Sequence, residues 1–232
     1  MALRAGIDIG TNTILLLVAE VEGDVIRVIE DRVRVVRLGQ GVDKNRAFHP
    51  DALDRARSCF AEYAAVLARY PGIEVRAAAT SGSRDAANSV EFFSEVEREY
   101  GIPVRVISGE EEALLSFRGA LPPGALDPAS VAVLDIGGGS SEIVGLEGSG
   151  GSGLFRFSFD MGCVRLSEKF LRSDPATASQ IQELRAFVAK ELDQQQGILA
   201  RVKGKTLVGV AGTATYLAAA ALGLSSFDPE KV

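Results

Sequence analysis

Two copies of one short turn signature, far apart in the chain, constrain its fold more than any other feature. The first is Ile7-Asp8-Ile9-Gly10-Thr11-Asn12-Thr13, and the second is Leu134-Asp135-Ile136-Gly137-Gly138-Gly139-Ser140-Ser141-Glu142. Apolar runs flank each copy, so each predicts a strand, a tight turn and a second strand. Glycine lets such a turn close and brings backbone N–H groups within reach of an anion. An Asp at the end of the leading strand offers a carboxylate to a divalent metal or to a metal-bound water. Two such loops facing each other would clamp a phosphoryl chain together with Mg²⁺.

The rest of the chain repeats this order. Residues 3–9, 13–21 and 24–38 read as three strands, with Gly23-Asp24 turning between the last two. A helix is expected over 51–70, because Ala52, Leu53, Ala56, Cys59, Phe60, Tyr63, Val66, Leu67 and Tyr70 recur on one face before Pro71-Gly72 stops it. A strand over 73–79 leads into Thr80-Ser81-Gly82-Ser83-Arg84, then a helical stretch over 85–100, a strand over 104–107, and a helix that opens with Glu110-Glu111-Glu112. Leu114, Leu115 and Phe117 are expected in the core. Leu121-Pro122-Pro123-Gly124 reads as a hinge. Strands over 131–136, 142–146 and 154–160 follow, and Gly148–Gly153 reads as a hairpin tip. Thr177-Ala178-Ser179-Gln180 resembles a capping box for a helix reaching about residue 200, and a strand over 206–211 then turns into an Ala-rich helix at Gly212-Thr213-Ala214-Thr215. The order strand, Asp-Ile-Gly turn, antiparallel strands, helices, strand, helix occurs twice. It predicts an α/β protein of two related domains, about 1–122 and 123–232, with ligands between them.

Composition narrows the function. Hydrophobic residues make up 47% of the 232, enough for packed cores. A net charge of −6 argues against a nucleic-acid binder and requires any polyanionic ligand to be met by local cations or metal. The chain has one histidine, His49, placed before Pro50 at a helix entry, so histidine triads and histidine-rich metal sites are disfavoured. Cys59 and Cys163 make neither a disulfide framework nor a zinc site, and Cys59 falls on an apolar helical face. The sequence shows no apolar run of spanning length and no leader pattern, so a cytoplasmic protein without membrane contact is expected.

Candidate chemistry concentrates in five places. Backbone amides of Gly10, Thr11, Asn12 and Thr13, with the threonine hydroxyls, suit phosphate oxygens. Gly137, Gly138, Gly139 and Ser140 suit them better, since three consecutive glycines are costly unless the backbone must approach something. Asp135 and Glu142, with Asp8, are candidate Mg²⁺ ligands, because Mg²⁺ takes few carboxylates plus waters. Ser81 and Arg84 stand at a strand-to-helix junction where an anion is favoured, although Ser81 or Ser83 could simply cap the helix. Gly212 and Thr213 form a further candidate phosphate-facing turn. Glu110, Glu111 and Glu112 point about 100° apart and cannot share a role. They could merely stabilise the helix dipole, or one of them could activate a water. Arg32 and Arg34 share a strand face, and a solvated edge strand accounts for them better than a polyanion track.

Taken together, these motifs resemble the exopolyphosphatase / guanosine pentaphosphate phosphohydrolase (Ppx/GppA) family of the actin, Hsp70 and sugar-kinase superfamily. The resemblance rests on Asp8–Thr13, Ala79–Asn88, Ile107–Ala113, Asp135–Glu142, Met161-Gly162-Cys163-Val164-Arg165-Leu166 and Gly212–Thr215, in this order and spacing. It implies two ribonuclease-H-like (actin-like ATPase) domains with an interdomain cleft, and a Mg²⁺- or Mn²⁺-dependent phosphohydrolase. The substrate it implies is inorganic polyphosphate, pppGpp or both. It makes Glu112 the catalytic base, with Glu111 as the fallback, Asp135, Glu142 and Asp8 the metal-associated acids, and Arg84 a substrate-phosphate contact. Members are often dimers, so a homodimer is an expected assembly. Short members continue for several tens of residues past the helix that follows Gly212–Thr215, so a shortened second domain is expected. A sugar- or acetate-kinase-like phosphotransferase, or a non-catalytic binder of polyphosphate or alarmone, are the alternative readings.

Overall fold

Alternation of apolar and polar residues from Ala2 to Ile9 produces strand β1 (Ala2–Ile9). Ala5, Ile7 and Ile9 are buried, whereas Arg4, Gly6 and Asp8 are exposed. In the computed structural model, which describes residues 2–121, 126–147, 153–226, 228 and 231, the chain divides into two compact units, Met1–Ser108 and Gly109–Val232.

In the first unit the chain turns at Gly10 into β2 (Thr13–Glu22) and at Gly23 into β3 (Val25–Val35). There follow α1 (Val42–Asn45), α2 (Pro50–Leu67), β4 (Glu74–Ala79), α3 (Ser81–Asp85), α4 (Ser89–Tyr100) and β5 (Val104–Val106). The five strands lie in the order β3-β2-β1-β4-β5. β1 is antiparallel to β2 and parallel to β4. His49 caps α2, its Nδ1 accepting from the Asp51 N–H at 3.2 Å, as its place before Pro50 suggests. The apolar stripe of α2, with Cys59, Phe60 and Tyr63 buried, packs on Ile7, Ile9, Ile14, Leu16 and Val18 of the sheet, and the Tyr63 hydroxyl donates to the Ile14 carbonyl at 2.7 Å. Phe48, Phe60, Phe92 and Phe93 interlock where α4 joins this core. The helical stretch expected over 85–100 is broken. Asn88 turns its side chain to bridge the Phe48 backbone, with Oδ1 accepting from the N–H and Nδ2 donating to the carbonyl, and this separates α3 from α4. Arg32 and Arg34, on the edge strand β3, are held by Glu62 and Glu30.

The second unit begins with α5 (Gly109–Ala120), then β6 (Val131–Ile136), β7 (Ser141–Glu147) and β8 (Gly153–Phe159). It continues through α6 (Cys163–Phe170), α7 (Ala178–Asp193), α8 (Gln196–Val202), β9 (Thr206–Val210) and α9 (Ala211–Ala221). Its sheet runs β8-β7-β6-β9, with β6 antiparallel to β7 and parallel to β9. Helix α5 belongs here because Ala113 and Phe117 bury with Val133 and Val144. Leu115, expected in the core, instead faces solvent at 47% exposure, since it falls between the buried positions of that helix. The capping box at Thr177 and Gln180 is formed, but α7 ends at Asp193 and a separate α8 follows. The expected hinge at 122–124 and most of the glycine-rich tip, 148–152, lie outside the described residues. Among the described residues no helix is long and apolar enough to cross a membrane.

Candidate active site

Register places the two acids of the second signature. In the β6–β7 hairpin Asp135 stands directly opposite Glu142, with the Gly137–Ser140 turn between them. Directly paired side chains on one face of an antiparallel hairpin are about 5 Å apart at Cβ, so these carboxylates are held together by backbone geometry alone. Asp135 accepts a 2.6 Å hydrogen bond from the Ser116 hydroxyl of α5, and Glu142 Oε1 accepts one of 2.7 Å from Ser158 of β8.

Glu142 is 1% exposed, and its Oε2 has no hydrogen-bond partner among the described residues. An ionised oxygen left in this state is expensive, and native structures rarely tolerate one without a purpose. Burial raises the Glu142 carboxyl to about 8, the negative charge of Glu112 pushes in the same direction, and the Ser158 hydroxyl opposes both. Burial also raises the Asp135 carboxyl, against the hydrogen bond from Ser116. Acidic groups that share a buried region cannot all ionise freely, and each raises the cost of charging the others.

Helix α5 sorts its three glutamates. Glu110 turns outward to an ion pair with Arg156 of β8 at 2.8 Å. Glu112 is half-buried and close enough for its charge to act on Glu142. Glu111 is half-buried as well, so the two glutamates that stay on the inner side of the run are Glu111 and Glu112, and the charge of Glu112 is felt at Glu142. Val210 is the register partner of Asp135 on β9, so Gly212 and Thr213, in the first turn of α9, start at the same end of the sheet as Gly137. Ala211 makes this corner in a left-handed conformation, φ 65°.

The first signature forms its own cluster in the first unit. The Gly10 N–H donates to the Thr13 carbonyl at 2.9 Å and closes the turn. Thr11 is buried, and its Oγ1 accepts from the Gly82 N–H at 3.2 Å, which ties the Gly10–Thr13 loop to the Thr80–Arg84 corner. Thr80, not Ser81 or Ser83, is the cap position of α3, and it makes no side-chain capping bond. Ser81 is buried, Arg84 is half-buried, and Arg84 Nη1 donates to the Ile107 carbonyl at 2.9 Å. Asp8, the penultimate residue of β1, is exposed, and Asn12 and Thr13 are half-buried.

The second unit therefore brings together Glu112, Asp135, Glu142 and the Gly137–Ser140 turn, with Gly212 and Thr213 at the same end of the sheet. The first unit carries Asp8, Gly10–Thr13, Ser81 and Arg84, and the Thr11–Gly82 bond joins the Gly10–Thr13 loop to the corner that bears Ser81 and Arg84. Among the described residues no group of three His, Cys, Asp or Glu forms a ready-made metal cage. Sequence reasoning missed Ser116 and Ser158. Nothing in the spacing of Ser116 or Ser158 marks either as the partner of a carboxylate. Arg165 stood in a quoted motif without a role.

The model of the Ppx/GppA phosphatase family matches residues 17–224. The chain belongs to the Ppx/GppA phosphatase family. It is 39% identical over 233 residues to exopolyphosphatase 2 of Mycobacterium tuberculosis, an alignment covering 97% of this chain and 72% of that protein. Among solved structures, an exopolyphosphatase-like protein superposes with a TM-score of 0.90 at 42% identity, covering 97% of this chain and 70% of that one. The Ppx/GppA enzyme of Aquifex aeolicus superposes at 0.78 with 31% identity, covering 100% and 75%. The fold is the two-domain α/β architecture of these actin-like Ppx/GppA structures.

Proposed function

We propose that this Ppx/GppA chain is an exopolyphosphatase that hydrolyses the terminal phosphoryl group of inorganic polyphosphate, with pppGpp as the other candidate substrate. One observation carries the reading. The buried Glu142 oxygen without a partner lies in a carboxylate cluster with Asp135 and Glu112, beside a glycine turn built to meet an anion. The similarity to a relative named exopolyphosphatase 2 supports it.

The residues present fit a hard divalent cation. The donor set is oxygen only, the orphaned oxygen is buried, and two carboxylates plus waters suit Mg²⁺ or Mn²⁺. Asp135 and Glu142 would hold that ion, which would supply charge neutralisation for the phosphoryl oxygens. The chain's own groups do the remaining work. Amides of Gly138–Ser140 and those of the Gly10–Thr13 loop other than Gly10 donate to phosphoryl oxygens in their respective units. Ser116 and Ser158 fix the two carboxylates. Glu112 orients a water and takes its proton. Phosphoryl transfer depends mainly on such positioning and charge stabilisation.

Phosphate release from polyphosphate and from pppGpp, measured side by side with Mg²⁺, tests the reading. Release from neither substrate, with tight binding retained, would make the chain a binder. Product that appears only with a phosphoryl acceptor would make it a phosphotransferase.

A further inference from the structure

The Met161–Leu166 motif has no role in the chemistry above, yet it lies against the loop that does. The first turn of α6 donates to the glycine turn three times. The Cys163 N–H donates to the Gly137 carbonyl at 2.9 Å, and the Val164 and Arg165 N–H groups donate to the Gly138 carbonyl at 2.9 and 3.1 Å. Arg165 Nε donates to the Gly139 carbonyl at 2.8 Å. Every carbonyl of the three-glycine run is thereby held on the α6 side. Within a planar trans peptide the C=O and the following N–H point in opposite directions. The N–H groups of Gly138, Gly139 and Ser140 are therefore turned away from α6, and none of them donates to a backbone carbonyl among the described residues. Gly162 makes the approach possible, because a Cβ there would overlap the Gly138–Gly139 peptide.

We propose that Arg165, with the first turn of α6, is a positioning residue that fixes the Gly137–Ser140 turn so that its amides face a phosphoryl group. The inference rests on the phosphohydrolase reading for its substrate, but the orientation of the loop is testable without turnover. Arg165 meets the loop at the Gly139 carbonyl. It acts on the side of the peptide opposite the ligand.

Two measurements separate the proposals. In the wild-type protein with Mg²⁺, tripolyphosphate should shift the amide NMR signals of Gly138, Gly139 and Ser140. In Arg165→Ala these shifts should saturate only at about ten-fold or more higher ligand concentration, with Arg165→Lys intermediate because an ammonium can still donate one bond. Kinetically, Arg165→Ala should lower kcat/KM for polyphosphate by about ten-fold or more, and added guanidinium should restore part of the loss in Arg165→Ala but none in Glu112→Gln. The rescue distinguishes lost positioning from lost folding, and Arg165→Lys serves if the alanine variant does not fold. Unchanged amide shifts and kinetics in both Arg165 variants would overturn the proposal. Wild-type amide shifts without phosphate release would leave the brace standing and remove the hydrolase.

Discussion

Glu142 is the residue on which most of this site turns. Its folded carboxyl sits at about 8, above the ordinary value of 4.5, chiefly through burial. The folded state thus keeps a proton that the unfolded chain has already released between about 4.5 and 8. Stability from this group is complete below the unfolded value and is lost as pH rises through the folded one. The metal-free protein should therefore unfold at a lower temperature near about pH 8.5 than near about pH 5.5, and Glu142→Gln should flatten that difference. Calorimetry on both proteins in chelator checks it; an equal slope in the variant would show that Glu142 contributes nothing. Glu112 gives the matching kinetic test. Glu112→Gln should reduce kcat by about 10²-fold or more, as loss of a general base does, with folding unchanged by circular dichroism. Asp135 and Glu142 were legible because a hairpin's spacing dictates which side chains face each other. Ser116 and Ser158 were not, because only tertiary packing of α5 and β8 brings their hydroxyls to those carboxylates.

At the level of elements, both glycine turns are shaped by a remote segment. In the second unit that segment is α6. In the first it is the stretch after β3, where the Gly39 N–H donates to the Thr11 carbonyl at 2.8 Å and the Val36 and Arg37 N–H groups donate to the Asn12 carbonyl at 3.0 and 2.9 Å. A Cβ on Gly39 would overlap the Thr11 methyl, so Gly39→Ala should force the loop aside, cost about 1–3 kcal/mol of stability as overpacking does, and weaken binding of tripolyphosphate. Denaturant unfolding and calorimetric titration would detect both effects, and a variant that binds as wild type would show that Thr11 can yield. Strands β1 and β2 and the amphipathic α2 were readable from period alone, since their apolar faces meet in one core. The breaks at Asn88 and after Asp193 were not, because a side chain bridging to a distant backbone, or a local end of the helical ladder, leaves the hydrophobic period intact.

Across the whole molecule, the repeat announced by the two Asp-Ile-Gly signatures is real: each unit opens with a strand, a glycine turn and an antiparallel return, and later adds a parallel strand beside the first. A chain of net charge −6 that acts on a polyanion works against its own long-range field. Raising KCl from low to physiological ionic strength at fixed free Mg²⁺ should therefore leave kcat/KM for polyphosphate level or higher, whereas a basic enzyme would slow. A steep fall would reveal a dominant cationic track. The carbonyls of the two turns find their partners in segments well downstream. Gly39 comes to its loop from beyond the β2–β3 hairpin and the first turn of α6 from beyond β8, so each contact requires the sheet of its own unit. No short peptide containing either signature can hold the arrangement. Capture of an oligophosphate thus doubles as a local thermometer: affinity at each turn should vanish as soon as that half of the chain loosens, before the remainder melts.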